Sequence, residues 1–599
     1  MAKDPRISRR GVVKGLSAAG ALALAGWPGT AVASSAREAL ITVMGTSDLH
    51  GHCLNWDYFK NAEFQDSEGN HIGIAKAAGL IRRIREERGH NNTLLFDSGD
   101  TIQGAALATY YNTVEPITRT GQTHPMARAM NAVGYDAVAL GNHEFNYGLE
   151  LLDTWIEQMD APVLAANAVH HGTQEPAYRP YVLKRMQVDC LDKPGTQPLV
   201  VGVLGLTNPG SIIWDRHHVE GVLEFQDLVD SARRWVPVMR EQGADLVIVS
   251  AHSGDSGTSS YGEDLPVENA SAMLAEQVPG IDAILFGHAH QDVPERFVTN
   301  KVTGEQVLMT MPSFWGRRLS VMDLALRREK GRWRVVSKSA VTLNSNTVQE
   351  DPQIVAVVAD QHATAVEYVN QVVATSVEEL SAAQACWRDT AIVDYVQQVQ
   401  IDTVRTAIAG TPEADLPVLS IAAPFSRSAV FPAGEVTIRD IAGLYIYDNT
   451  LLASVVTGAQ LRDYLEYSAR YFRQAPATGQ VDPAELTNAD GIPDYNFDQV
   501  AGVEYDIDVS RPVGERVSSL TWEGERVADD QRFVLAVNNY RQSGGGGFPH
   551  ITGAPVVYNE QVEVRQALID HATATGTIDP ADFHVVNWRL VRGGVPLVE

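Results

Sequence analysis

Between Ala39 and about Asn344, short apolar runs alternate with polar loops and longer amphipathic stretches. The runs Ile41–Thr46, Thr93–Phe96, Ala137–Leu140, Leu199–Leu206, Leu246–Ser250 and Ala283–Phe286 are β-branched or aliphatic and too short for helices, so they predict strands. Between them, Ile74–Arg88 and Leu228–Gln242 place apolar residues at helical spacing and predict amphipathic helices. Alternating strands and helices predict an α/β fold with both sheet faces covered. At 350–374 the pair Asp351-Pro352 forms an N-cap and first-turn signal, predicting a helix that links two halves. A second pattern begins at about residue 376. It predicts a helix over Asp389–Ile408, strands including Val418–Ala422, Leu451–Thr457 and Phe533–Val537, and a Gly-rich loop at Ser543–Phe548. A chain of 599 residues is too long for one core, and these patterns divide it into domains at 39–345 and 376–599.

Residues 1–33 carry a different pattern. Ser8-Arg-Arg-Gly-Val-Val-Lys14 precedes the apolar stretch Gly15–Trp27, and Ala31-Val-Ala33 offers a small-x-small cleavage site. That order predicts a twin-arginine signal peptide, export through the twin-arginine machinery, and a periplasmic or otherwise exported mature chain. A membrane anchor is the competing reading, but the stretch is short, rich in Gly and Ala, and broken by Pro28. No stable membrane span is expected after cleavage. The net charge of −27 disfavours a nucleic-acid polymer as partner and calls for local positive charge if the substrate is anionic. Cys53, Cys190 and Cys386 are widely spaced and suggest no disulfide framework.

The predicted strands end in unusual residues. Asp48 and His50 follow the first run, Asp100 the second, and Asn142 and His143 the third. His252 follows Leu246–Ser250, and His288 and His290 follow Ala283–Phe286. Loops leaving the carboxyl ends of strands in α/β folds converge on one rim, so these side chains are expected to meet. Seven of them (Asp48, His50, Asp100, Asn142, His252, His288 and His290) offer nitrogen and oxygen donors without sulfur, which suits two divalent ions such as Zn, Mn, Co or Fe. Paired ions roughly 3.5–4 Å apart need a shared ligand, and Asp100 is the candidate bridge. Asp97 is the rival bridge, but it falls within the strand and reads as a supporting residue.

The segments Asp48-Leu-His50-Gly-His52, Gly99-Asp100, Gly141-Asn-His-Glu144, Ala251-His252 and Gly287-His-Ala-His290 resemble the metallophosphoesterase domain of the 5′-nucleotidase family. The resemblance covers nearly the whole mature chain. It implies a metallophosphoesterase β-sandwich flanked by helices, a linker helix, and a C-terminal α/β substrate domain. It assigns Asp48, His50, Asp100 and His290 to one ion, and Asp100, Asn142, His252 and His288 to the other. His143 matches the catalytic histidine. Where 5′-nucleotidases continue with Asp after Gly-Asn-His-Glu-Phe, Asn146 stands here; a neutral amide is expected to orient His143 and let it titrate lower, unless position 146 is only a turn. That departure, with Asn55-Trp-Asp-Tyr-Phe59, Gly141–Gly148 and Pro312-Ser-Phe-Trp315, resembles the 2′,3′-cyclic-nucleotide 2′-phosphodiesterase/3′-nucleotidase branch. Tyr447 and Tyr540 match the rings that sandwich the nucleobase, although both could instead be packed core. The Gly-rich loop lacks a P-loop pattern and is expected away from the metals, near the base or ribose. Competing activities are a 5′-nucleotidase or UDP-sugar hydrolase, a thiosulfohydrolase, and a non-catalytic nucleotide-binding protein.

Overall fold

The computed structural model describes residues 37–598, apart from 260–264, 448, 477 and 561. Residues 1–33, read above as a signal peptide, lie outside the described residues.

All six apolar runs form strands, and they belong to two six-stranded sheets. In the first, Arg37–Thr46, Thr93–Asp97, Ala137–Ala139 and Val163–Leu164 run parallel in that order, and antiparallel Arg318–Glu329 and Arg332–Asn344 extend the Arg37–Thr46 edge. In the second, Thr196–Leu206, Leu246–Ala251, Ala283–Phe286 and Gln306–Pro312 run parallel, and antiparallel Tyr181–Asp189 and Asp292–Thr299 close the two edges. The antiparallel members carry no continuous apolar run. Tyr181–Asp189 is half-buried over its first four residues and then exposes Arg185, Gln187 and Asp189 alternately, as an edge strand can.

The sheets pack face to face through Ile41, Val43, Phe96, Val201, Ile248 and Leu285, all fully buried. A covered face therefore means sheet on sheet on one side, not helices on both. Helices Ile74–Arg88, Pro125–Val133 and Leu149–Gln158 cover the outer face of the first sheet, and Leu228–Glu241 and Ser271–Gln277 that of the second. Approach between the sheets is close enough that Leu285 fills the space a side chain at Gly45 would occupy.

Helix Pro352–Val369 starts at Asp351, whose side chain accepts from the Gln353 backbone N–H at 2.8 Å. It is packed by Tyr58, whose hydroxyl lies 2.9 Å from His362 Nδ1, and by Gln361, which donates to the Thr123 carbonyl. Beyond it, helix Ala391–Ala407 lies against a five-stranded sheet ordered Gln499–Ala501, Val418–Ala422, Arg532–Asn538, Leu451–Thr457, Val556–Tyr558. A second five-stranded sheet is centred on Glu504–Asp508. Cys53, Cys190 and Cys386 are free thiols. Among the described residues, no helix is long and apolar enough to cross a membrane.

Because Leu285 is fully buried at the tight sheet–sheet contact, Leu285→Ala is expected to destabilise the sandwich by roughly 2–5 kcal/mol. A denaturant titration that found an unchanged first midpoint would contradict this packing.

Candidate active site

Five strands from the two sheets deliver their following loops to one rim. Asp48 and His50 leave Arg37–Thr46, Asp100 leaves Thr93–Asp97, and Asn142 and His143 leave Ala137–Ala139. From the second sheet, His252 leaves Leu246–Ala251, and His288 and His290 leave Ala283–Phe286. The donor atoms of Asp48, His50 and His290 lie within 4.8 Å of one another, as do those of Asp100, His252 and His288. Asp100 Oδ2 is 2.9 Å from His252 Nε2 and 3.9 Å from His50 Nε2, so one carboxylate faces both groups. His290 Nε2 is 3.1 Å from His50 Nε2 and 3.3 Å from Asp48 Oδ1.

Most of these rings are held from behind. His50 Nδ1 meets Gln103 Oε1 at 3.1 Å, His252 Nδ1 donates to the Ser98 carbonyl at 2.8 Å, and His288 Nε2 meets Glu268 Oε1 at 2.8 Å. Phe314 stacks on His290 with centroids 4.8 Å apart. Such partners fix which nitrogen faces a metal and raise its basicity. Pro312-Ser-Phe-Trp315 is thus explained: Phe314 orients His290, and the Trp315 backbone N–H donates to the Asp48 carbonyl at 2.7 Å.

The loops themselves are strained. Asp48, His50, Asp100, His288 and His290 all have left-handed backbone, with φ between 46° and 72°. Glu144 holds two of these loops together, accepting from the backbone N–H groups of Asp100 at 2.9 Å, Gly141 at 2.6 Å, and Thr101. A side chain at Gly141 would overlap Asp100 Oδ1, so that close approach requires glycine. Asp97 sits beneath, accepting from Thr46 Oγ1 and the Gly99 N–H, and burial pushes its carboxyl up to about 7.

Electrostatics favour positive charge at the centre. Burial opposes ionisation of Asp100, yet His252, His143 and His50 outweigh it and hold the carboxyl well below its usual range. Asp48 is likewise lowered, against its burial, by His290 and His252. Asn142 Oδ1 is buried without a hydrogen-bond partner, and His252 Nε2 faces Asp100 Oδ2 at 2.9 Å. Two ionised carboxylates, convergent imidazoles and an orphaned amide oxygen fit a pair of divalent cations.

His143 differs from expectation. Burial lowers its pKa, but the Asp100 carboxylate, the Asn146 side chain and Asp215 outweigh burial and raise it. His143 Nδ1 is 2.6 Å from Asn146 Oδ1, so Asn146 is more than a turn residue; its Nδ2 donates to Asp215 Oδ1, also at 2.6 Å. The acid missing from position 146 is therefore present one residue further out, on a segment with no sequence signal of its own. Glu144 was visible as part of its motif, whereas Gln103, Glu268 and Asp215 were not.

A cavity of about 1090 Å³ joins the two halves. His143, Asn146, His288 and His290 line one side; Asn449, Tyr540, Gly544 and Gly545 line the other. Tyr540 is 41% exposed. Its ring lies where a side chain at Gly545 would stand. The Gly-rich loop thus faces the same cavity as the metal-competent side chains, not a space apart from them. Tyr447 packs edge-on against Phe425 and Tyr495 and does not line this cavity. Arg427 is engaged by Asp494 and Asn488.

Family comparisons agree with this geometry. Residues 41–292 match the calcineurin-like phosphoesterase model, and residues 371–553 match the 5′-nucleotidase C-terminal domain. The chain is 34% identical to a 2′,3′-cyclic-nucleotide 2′-phosphodiesterase/3′-nucleotidase from Haemophilus influenzae, over 94% of this chain and 89% of that protein. It is also 34% identical to the trifunctional nucleotide phosphoesterase YfkN from Bacillus subtilis, over 93% of this chain but only 39% of that longer protein. A crystal structure of a candidate 5′-nucleotidase from Staphylococcus aureus has the same fold, with a TM-score of 0.65 at 24% identity, covering 92% of this chain and 99% of the other. The chain therefore belongs to the calcineurin-like phosphoesterases that carry a 5′-nucleotidase C-terminal domain, in the group of the bacterial 2′,3′-cyclic-nucleotide 2′-phosphodiesterase/3′-nucleotidases.

Proposed function

We propose that this protein hydrolyses 2′,3′-cyclic nucleotides to 3′-nucleotides, and 3′-nucleotides to nucleoside and phosphate, at one two-metal centre outside the cytoplasm. One observation carries the proposal: metal-competent side chains and the exposed ring of Tyr540 face each other across a cavity large enough for a nucleotide. The 34% identity to a relative of that name over nearly the full length of both chains supports this substrate class over 5′-nucleotides. The twin-arginine pattern in residues 1–33 supports export.

Asp48, His50, Asp100 and His290 would hold one ion, and Asp100, Asn142, His252 and His288 the other. Divalent ions there, of the Zn, Mn, Co or Fe kind, supply Lewis acidity for the phosphoryl group and make water more acidic near neutral pH. The chain's own residues do the rest. Tyr540 offers a stacking face for the base, and stacking tolerates any base. His143 stands beside the centre with Nδ1 held by Asn146, which leaves Nε2 to face the cavity. Water forms a bond to phosphorus as the bond to the ribose 2′-oxygen breaks, and that oxygen takes the proton from Nε2 of the His143 cation. The proton lost by water restores the cation through solvent. The resulting 3′-monoester binds with the same base contact, and the ribose 3′-oxygen leaves in the same manner. Positioning and charge neutralisation dominate phosphoryl transfer, so one constellation serves both steps.

Purified enzyme is expected to turn over 2′,3′-cyclic AMP and 3′-AMP faster than 5′-AMP or UDP-glucose; a preference for 5′-AMP would overturn the substrate assignment. His143→Ala is expected to lower kcat by roughly 10²–10⁴-fold while metal content stays unchanged. Tyr540→Ala is expected to cost about 1–3 kcal/mol in kcat/KM for nucleotides, and much less for p-nitrophenyl phosphate, which has no base to stack. Equal losses on both substrates would remove Tyr540 from base recognition.

A further inference from the structure

His143 is linked to a carboxylate through an amide, and the direction of that amide is decided from outside the catalytic loop. Asn146 can present either its oxygen or its nitrogen to His143, because the two ends of an amide are nearly isosteric. A carboxylate has no such freedom: when ionised it only accepts. Asn146 Nδ2 donates to Asp215 Oδ1 at 2.6 Å, so the amide turns its NH₂ toward Asp215 and its oxygen toward His143; burial pushes the Asp215 carboxyl up to about 7, and the ionised form is the one that imposes this direction. That oxygen in turn requires a proton on His143 Nδ1, 2.6 Å away. The tautomer of a histidine is set by the hydrogen bond its remote nitrogen makes.

Asp215 is built to hold this position. It is fully buried, at the junction of two short helices, Ser211–Trp214 and Arg216–Val219. Its backbone N–H donates to the Ser211 carbonyl, and its own carbonyl accepts from the His218 and Val219 N–H groups. The same segment touches the metal side of the site, because Trp214 stacks on His288. Asp215 Oδ2 is buried without a hydrogen-bond partner. Burial pushes this carboxyl up to about 7, so keeping it ionised here, with half its acceptors unused and one short bond to Asn146, is costly to the fold unless it does something there.

We propose that Asp215 is a positioning residue for the phosphoesterase reaction, acting through Asn146 to keep the Nδ1 proton on His143 and present Nε2 to the leaving oxygen. The proposal rests on the role given to His143 above. It implies that the carboxylate matters in proportion to how badly the leaving oxygen needs a proton. A p-nitrophenolate departs without one; a ribose alkoxide or an unsubstituted phenolate does not.

The test uses the full-length, metal-loaded enzyme with p-nitrophenyl phosphate, phenyl phosphate and 3′-AMP. Asp215→Ala is expected to lower kcat on 3′-AMP and phenyl phosphate by roughly 10²-fold, and on p-nitrophenyl phosphate by less than about 10-fold, with KM and metal content unchanged. Combining Asn146→Asp with Asp215→Ala, which brings the carboxylate one link closer, is expected to recover most of the lost kcat. Should Asp215→Ala fold poorly, the isosteric Asp215→Asn removes the imposed direction of the amide and is expected to give the same ordering with smaller losses. Equal losses across the three esters, a change confined to KM, or undiminished turnover would each overturn the proposal. If wild-type enzyme cleaves the aryl esters but no nucleotide, the assigned substrate class fails, while the two aryl esters still decide the role of Asp215.

Discussion

Everything at the rim is arranged around one buried carboxylate. Asp100 has its backbone N–H held by Glu144, its carbonyl taken by the His50 N–H, one carboxylate oxygen taken by the His143 N–H, and the other turned toward His252 and His50. An ion so enclosed is tolerable only when positive charge converges on it, and both halves of the sandwich send histidines for that purpose. The two sheets need not be related in sequence to do this. They need only end their parallel strands on the same side.

That requirement has a conformational consequence. A chain that leaves a strand and must aim a side chain back across its end cannot continue in extended backbone, and five of the seven metal-competent residues adopt left-handed φ. Hydrogen bonds to Glu144, close approach at Gly141, and the backbone bond from Trp315 to Asp48 hold that strain in place. The rigid sandwich beneath supplies the foundation, and the mobile chemistry of the substrate is left to the cavity between the halves. To this cavity the C-terminal half contributes the exposed ring of Tyr540 and a loop stripped of side chains, which gives a base room to slide against Tyr540.

Replacement of an acid by an amide at position 146 shows how local reading misleads. Taken alone, Asn146 removes a charge from beside His143 and predicts a lower pKa. In the folded chain Asp100, the Asn146 hydrogen bond and Asp215 behind the amide together outweigh burial and raise it, although Asp215 itself is pushed up to about 7 by burial. The chemistry available at His143 is then a property of three segments, of which only one carries the motif.

The amino-acid sequence by itself determined the α/β class, six of the eight parallel strands, and the identity of the metal-competent side chains, because strand patterning and side-chain chemistry are local and the residues sit just past each strand. It did not reveal the antiparallel strands such as Tyr181–Asp189, whose half-exposed faces dilute the apolar signal. That one face of each sheet is buried by the other came from the family resemblance, which implied a β-sandwich, and not from the strand pattern alone. Tertiary structure alone decided which groups stand behind the ligands: Gln103 behind His50, Glu268 behind His288, and Asp215 behind Asn146. Those partners come from loops whose sequences need satisfy only one distant contact, and a single long-range hydrogen bond leaves no period or spacing to read.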